Sequence, residues 1–352
     1  MSKIRLAVIF GGNSSEYSVS LHSVASVLRS IDNDKYDITL IGINQAGSWF
    51  LYNGDIDDIE HDNWEQESLC TPVILSPNPL DHGFIVLNEG NRYDNVIVDV
   101  CFPVMHGQNS EDGTIQGLFT MAKMPYVGCG VLASSTCMDK VTTHIICESA
   151  DIKMAPYISL LSYNKNDYKK IYKECNTKLG EILFIKPANA GSSYGISKVR
   201  TYEEFIKGVE FAFFYDKKII IEAAIDGFEI GCAVKGNDII TIGELDEIDT
   251  KNDFFDFEGK YELANTQIHC PARINKTLTK KAKEMAVIAY KAMGCNGLSR
   301  VDMFVSNNDI ILNEINTIPG FTDASRYPTM MKTAGTDFKT LIDELINLAL
   351  NK

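Results

Sequence analysis

The sequence predicts an α/β protein in three parts. These are an N-terminal parallel α/β domain (residues 1–136), a small α+β lobe (137–230) and a second α+β lobe (231–352). Three observations predict it. Buried apolar runs alternate with helical spacing in the first third of the chain. The capping box Thr201-Tyr-Glu-Glu204 opens a helix between two short strand patterns. Near the C-terminus, two further strand patterns flank a polar turn. At 352 residues the chain is also too long for one small core.

Each element has a local reason. Residues 6–10 are a continuous apolar run ending at Gly11-Gly12, residues 19–28 have helical spacing, and 36–43 read as a strand. Residues 95–104 read as one more buried strand, ending at Met105-His106-Gly107. Strand, glycine turn, helix, strand is the pattern of a parallel sheet. Ligands of such sheets bind at the carboxyl ends of the strands, which puts residues 11–16 and 106–113 beside a site. The run Glu111-Asp-Gly-Thr114 also reads as the cap of a helix starting at Thr114 or Ile115. The pattern changes near Cys137-Met-Asp-Lys140. Residues 182–185 form a strand entering Lys186-Pro187, the capping-box helix runs to Phe213, and a strand over 219–221 ends in Glu222. After residue 231 come antiparallel strands, a polar loop (249–265), a helix near 278–293 and a hairpin. A closing helix over 337–350 has apolar spacing at Phe338, Leu341, Ile342, Leu345 and Ile346.

Composition excludes several classes. No window reaches the ~18 consecutive apolar residues of a membrane span. A net charge of −14 argues against a general nucleic-acid or membrane-surface binder, so an anionic substrate needs a local cluster of Lys and Arg. The nine Cys form no CxxC pair and sit in apolar stretches, as reduced thiols of a cytoplasmic protein do.

The hairpin carries the most chemistry. Strand alternation puts Arg300 and Asp302 on one face of the first strand, and Glu314 and Asn316 on one face of the second. With a three-residue loop at 307–309, Asp302 falls opposite Glu314 and Arg300 opposite Asn316. Two close carboxylates repel unless a cation lies between them. With only oxygen ligands on offer, Mg²⁺ bridging substrate phosphates fits. A solvated polar strand face is the bland alternative. The apolar run 310–312 opposes it, because it buries the sheet that bears the acids.

Other parts are weaker singly. Gly191-Ser192-Ser193-Tyr194-Gly195 follows a strand. Its glycines let backbone N–H groups approach phosphate, though an ordinary turn has the same composition. Lys140, Lys186, Lys260 and Arg300 together supply the positive charge that ATP needs; each alone reads as a surface residue. Glu222 and Glu229 suit ribose hydroxyls or are solvated acids. His106 lines the expected site or is a satisfied loop histidine.

In this order the parts resemble the ATP-grasp superfamily, and within it the D-alanine–D-alanine ligase family. The likeness rests on Gly11-Gly-Asn-Ser-Ser-Glu16, His106-Gly…Glu111-Asp-Gly-Thr-Ile-Gln-Gly117, Met138-Asp-Lys140, Lys186-Pro…Gly191-Ser-Ser-Tyr-Gly195, Glu258-Gly-Lys-Tyr261 and Arg300-Val-Asp302…Asn313-Glu-Ile-Asn-Thr-Ile-Pro-Gly320. It covers nearly the whole chain. Phe254-Phe-Asp-Phe-Glu-Gly-Lys-Tyr261 and Ile318-Pro-Gly-Phe-Thr322…Ser325-Arg326-Tyr-Pro are most similar to the G-type vancomycin-resistance D-alanine–D-serine ligases.

The resemblance implies two α+β lobes clasping ATP and a reaction through a D-alanyl phosphate. It implies that Glu16 binds the first substrate's ammonium in a trio with Ser192 and Tyr261, and that His106 lines the substrate site. Lys140, Lys186, Ser193 and Lys260 hold phosphates, and Glu222 and Glu229 hold the adenosine side. Asp302, Glu314 and Asn316 carry two Mg²⁺ ions, with Mn²⁺ possible. Arg300 and the N–H of Gly320 stabilise the oxyanion. Residues 249–265 form a water-excluding lid. A homodimer is implied by resemblance only.

Tyr261 suggests an amino acid, not a hydroxy acid, as second substrate. Arg326 stands where an apolar residue is usual and can donate to a serine hydroxyl, with Phe254 and Ser325 shaping the same subsite. A salt bridge from Arg326 to Asp323 is the alternative. The expected reaction is D-alanine–D-serine ligation, with D-alanine–D-alanine ligation or a non-catalytic nucleotide-binding regulator as alternatives. Ser18, Asn189, Ala190, Phe257, Asp323 and Ala324 depart from the commonest family pattern.

Overall fold

A computed structural model describes residues 3–164, 167–191, 194–250 and 266–352. The first part of the chain runs β1 (Ile4–Gly11), α1 (Tyr17–Ser30), β2 (Tyr36–Ile43), β3 (Trp49–Tyr52), α2 (Ile56–Glu60), β4 (Cys70–Leu75), β5 (Gly83–Asn88), β6 (Arg92–Ile97), β7 (Val100–Pro103), α3 (Thr114–Met121), α4 (Val131–Met138) and α5 (Lys140–Ser149). The sheet order is β6-β5-β4-β3-β2-β1-β7. Only the β2-β1-β7 group is parallel; the other strands form an antiparallel extension.

The single strand expected over 95–104 is two strands. The break falls at Val98-Asp99, where the Asp99 carboxylate accepts from the Arg5 backbone N–H at 2.8 Å and pairs with its guanidinium at 2.5 Å. Those contacts pin the chain to β1, so Val100 enters on the far edge from β6. Six strand spacings of a flat sheet would separate the edges by roughly 29 Å. The three Cα steps from Ile97 to Val100 span at most about 11 Å. The sheet therefore curls.

The central lobe comprises β8 (Tyr157–Leu161), α6 (Tyr168–Leu179), β9 (Leu183–Pro187), β10 (Ser197–Val199), α7 (Tyr202–Tyr215) and β11 (Lys218–Ala223), in sheet order β10-β9-β11-β8. The capping box forms: Thr201 Oγ1 accepts from the Glu204 N–H at 3.2 Å, and Glu204 accepts from the Thr201 N–H at 3.1 Å. Phe205, Val209 and Ala212 of α7 are then buried against Ile185 and Val199.

The C-terminal lobe contains β12 (Phe228–Gly236), β13 (Ile240–Thr250), β14 (Thr266–His269), α8 (Lys276–Ala292), β15 (Gly297–Ser306), β16 (Asp309–Asn316), α9 (Arg326–Thr333) and α10 (Phe338–Leu350). The sheet order is β14-β13-β12-β15-β16. One face packs on α8 through Ile230, Cys232, Leu245, Val301 and Met303. The closing helix α10 is capped by Asp337, which accepts from the Thr340 N–H. It buries Phe338, Leu341, Ile342, Leu345 and Ile346 in the same core as Val24 and Val27 of α1, so the last helix ties the lobe to the first domain. Each fully buried Leu or Ile contributes about 1.5–3 kcal/mol.

The hairpin loop is shorter than expected. Ser306 pairs with Asp309, leaving a two-residue turn whose Asn307 and Asn308 both have positive φ. A β-bulge beside Asp302/Met303 then restores the pairing, so Asp302 still faces Glu314 and Arg300 faces Asn316. Among the described residues no helix is long and apolar enough to cross a membrane.

Candidate active site

The face of the C-terminal sheet away from α8 carries a row of residues in register. Asp246 on β13 pairs with Gly231 on β12, Gly231 with Asp302 on β15, and Asp302 with Glu314 on β16. Asp246 and Asp302 are buried, and burying such acids together requires counter-charge. Arg326, the first residue of α9, supplies it. Its Nε donates to Asp246 Oδ2 at 2.7 Å and its Nη2 to Asp246 Oδ1 at 2.8 Å. Its Nη1 donates to Glu229 at 3.1 Å, and Nη2 lies 3.5 Å from Asp302. Burial works against its charge, yet these acids outweigh that and raise its pKa well above the usual value. Gly231 makes room: a Cβ there would lie 2.5 Å from Arg326 Nη2 and 2.6 Å from Asp246 Oδ1. The alternative pairing of Arg326 with Asp323 does not form, since Asp323 lies 3.5 Å from Lys332 instead.

Asp302 is also bonded along its own face. Arg300 Nε donates to Oδ1 at 2.8 Å, its Nη2 to Oδ2 at 2.7 Å, and the Asn316 amide to Oδ2 at 2.8 Å. Burial lowers the Arg300 pKa, but Asp302 overrides it and the net shift is upward. Among the described residues no group of three or more His, Cys, Asp or Glu forms a ready-made metal cage. The donors at hand are the Asp302 and Glu314 carboxylates and the Asn316 amide. They fit Mg²⁺, which takes one or two carboxylates plus substrate phosphates and keeps waters.

The central lobe faces this row. Lys186 at the end of β9 pairs with Glu222 on β11 at 2.5 Å. Burial lowers the Lys186 pKa, while Glu222, Glu314 and Glu229 raise it, and the acids win. Burial likewise opposes ionisation of Glu222, but Lys186 and His144 hold its carboxyl down at about 2. Lys140, the first residue of α5, donates to the Ala190 carbonyl at 2.7 Å.

The first domain closes the third side. Glu16, just before α1, is buried against the loop at 107 and the loop at 191. A Cβ on Gly107 would lie 2.4 Å from Glu16 Oε2, and one on Gly191 would lie 2.9 Å from it. Gly107 has φ +73°, so glycine is needed there on both counts. His106 is buried, and both ring nitrogens have protein partners: Ile318 O at 3.0 Å from Nδ1 and Ser23 Oγ at 3.1 Å from Nε2. Burial lowers its pKa in spite of Glu16. Neutral His106 thus donates from Nδ1 and accepts at Nε2.

The run 111–114 caps α3 as expected, but not through Glu111. Its two oxygens accept from the Gly107 N–H at 3.0 Å and the Ile318 N–H at 3.3 Å. Asp112 performs the capping, accepting from the Thr114 N–H at 3.0 Å. Burial, then the charge of Glu16, pushes the Glu111 carboxyl up to about 8. His106 and Glu111 therefore hold both backbone polar groups of Ile318, two residues before Gly320. Ser325 gives its hydroxyl to local bonds: Oγ accepts from the Thr322 N–H at 3.1 Å and lies 2.8 Å from Thr322 Oγ1.

Ser192, Ser193, Phe254, Phe257, Lys260 and Tyr261 lie outside the described residues. Sequence reading missed Asp246, His144 and the reach of Glu111 to Ile318. Asp246 had one local signal, an acid at an inward position of a strand. His144 had none.

Lysines facing a row of carboxylates across two lobes, with a third domain alongside, define a ligase of the ATP-grasp class; solved structures agree. The crystal structure of the VanG D-Ala:D-Ser ligase from Enterococcus faecalis superposes with a TM-score of 0.91 at 44% identity, covering 99% of this chain and 100% of that one. Family models described as D-ala D-ala ligase N-terminus and C-terminus match residues 5–129 and 146–347. D-alanine--D-alanine ligase B of Clostridium tetani is 43% identical, over 100% of this chain and 95% of that protein. The Vancomycin C-type resistance protein VanC1 of Enterococcus gallinarum is 43% identical, over 98% of each. The chain belongs to the D-alanine–D-alanine ligase family. It is thus an ATP-dependent D-amino acid ligase, not a non-catalytic regulator, and uses ATP with Mg²⁺.

Proposed function

We propose that the protein is a D-alanine–D-serine ligase of the vancomycin-resistance type. The observation that carries the reading is Arg326 held across Gly231 beside Asp302. Three hydrogen bonds go to carboxylates and Nη2 lies within ion-pair distance of Asp302, while an N–H of Nη1 is left for a substrate hydroxyl. An apolar residue there could give no such bond. The likeness to the VanG ligase supports it.

In this reading Glu16 binds the ammonium of a first D-alanine, with Ser192 and Tyr261 completing the trio. Lys140, Lys186, Ser193 and Lys260 orient the phosphates of ATP, and Glu222 and Glu229 hold its nucleoside. Asp302, Glu314 and Asn316 hold two Mg²⁺ or Mn²⁺ ions, whose charge neutralises the transferred phosphoryl group. The D-alanine carboxylate attacks the terminal phosphorus and ADP leaves. The amine of the second D-amino acid then attacks the acyl phosphate, and phosphate leaves. Arg300 and the Gly320 N–H stabilise the oxyanion between those events. His106 and Glu111 keep the Gly320 loop in position, and Ser325 and Phe254 border the second subsite. A cytoplasmic homodimer belongs to the same reading, testable by light scattering.

The test is a competition: ATP, Mg²⁺ and D-alanine, with and without equal D-serine, products separated by mass. Mostly D-Ala–D-Ser is expected. Mostly D-Ala–D-Ala would make this a D-alanine–D-alanine ligase in spite of Arg326. Arg326→Leu should weaken D-serine use more than D-alanine use, and equal losses would remove Arg326 as selector.

A further inference from the structure

We propose that His144 is a positioning residue of the nucleotide site, holding the Glu222 carboxylate in place when Lys186 is drawn to the phosphates. This rests on the reading of Glu222 as a nucleoside partner.

The placement is geometric. Lys140 and His144 are four residues apart on α5 and so share a face. Both reach toward the central lobe: Lys140 to the Ala190 carbonyl at 2.7 Å, His144 Nε2 to Glu222 Oε1 at 2.7 Å. The carboxylate of Glu222 is divided between two partners. Oε1 takes the His144 N–H, and Oε2 takes the Lys186 ammonium at 2.5 Å.

These two partners differ in what they do next. An ammonium that engages a phosphate cannot keep its full contact with a carboxylate. If Lys186 turns to the nucleotide, Oε2 becomes available to a ribose or adenine donor. The side chain keeps its direction only if Oε1 stays anchored. His144 is suited to that task because its ring is fixed. It packs against Tyr157 at a tilt of 43° with centroids 4.3 Å apart, and the side chain is 1% exposed. Its Nδ1 is buried with no hydrogen-bond partner among the described residues. The ring therefore spends its one hydrogen bond on Glu222. Burying an imidazole for a single bond is costly, which a mere space-filling role does not explain.

The experiment compares wild type with His144→Phe, which keeps a ring against Tyr157 but loses the donor, and His144→Gln, whose amide can still donate. Calorimetry measures binding of a non-hydrolysable ATP analogue. Phosphate release gives kcat and the KM values for ATP and D-alanine separately. The Phe variant should bind the analogue and ATP about ten-fold more weakly, the worth of one hydrogen bond to a charged group. Its kcat and KM for D-alanine should stay within about two-fold, because the interaction removed is a binding one. The Gln variant should stay within about three-fold of wild type, since the bond is replaced. A Phe variant that binds like wild type, equal losses in both variants, or a defect confined to kcat would overturn the proposal. If the Phe variant does not fold, the Gln variant decides by whether it retains nucleotide affinity. Wild-type protein that binds the analogue but releases no phosphate with D-alanine would sink the ligase reading and leave the His144 comparison intact.

Discussion

Arg326 and Asp246 meet in a two-pronged ion pair, 2.7 and 2.8 Å long, although they lie 80 positions apart in the chain. Asp246 is fully buried. The pair fixes the guanidinium plane over the sheet and so fixes which way its remaining N–H can point. Under the proposed selection of the second substrate by Arg326, Asp246 is therefore its positioning partner.

Removing only one partner should be worse than removing both. Arg326→Leu leaves the buried Asp246 carboxylate without its counter-charge, a loss of about 3–5 kcal/mol. Adding Asp246→Asn should recover part of it. Denaturant unfolding of the single and double variants checks this, and additive losses would deny the coupling.

Gly231→Ala should act at a distance through the same pair. Its methyl would overlap the guanidinium, so either Arg326 or the strand must shift, at about 1–3 kcal/mol. Ligase activity should fall by about ten-fold or more, since Asp302 is disturbed too. Steady-state kinetics with purified, folded variant protein give the answer.

Glu111→Ala should leave the buried N–H groups of Gly107 and Ile318 without their acceptor, at about 1–3 kcal/mol each. The looser loop around Gly320 should lower kcat while the KM for ATP stays put. A change in KM for ATP alone would show that the clamp serves the nucleotide instead.

Glu222 predicts an acid limb in stability. Its folded carboxyl titrates at about 2, below its ordinary value of 4.5, so its contribution is complete above that ordinary value. It is lost as pH falls through the folded value. Unfolding of wild type between pH 5 and pH 2, followed by circular dichroism, should show a steeper fall than Glu222→Gln, with the two curves converging at the acid end.

Thr201→Ala breaks the capping box of α7 and should cost about 1 kcal/mol in the central lobe. Turnover should be unchanged, because Thr201 is remote from the carboxylate row.

What was legible in the sequence was local. Capping boxes, apolar spacing and strand alternation depend on residues a few positions apart, so α7, α10 and the faces of β15 and β16 were readable. The Arg300–Asp302 and Glu314–Asn316 pairs followed from alternation alone. Partners distant in sequence were not. Nothing local says that Glu111 reaches Ile318, that Asp246 meets Arg326, or that residues 95–104 split to serve opposite edges of one sheet. Those facts depend on how whole elements pack.

The bulge in the β15–β16 hairpin decides which way Glu314 looks. Below it the paired residue numbers sum to 615, as in Met303 with Leu312; above it they sum to 616, as in Asp302 with Glu314. With the same two-residue turn and no bulge, Glu314 would pair with Val301 and point into the α8 side of the sheet. Residue count and bulge must therefore agree between the turn and Glu314. Two residues added to the hairpin tip would be absorbed as a longer loop, and deleting Asn313 along with its bulge would leave the acid opposite Asp302, whereas flattening the bulge with Asn313 kept would turn that acid into a charge in the core.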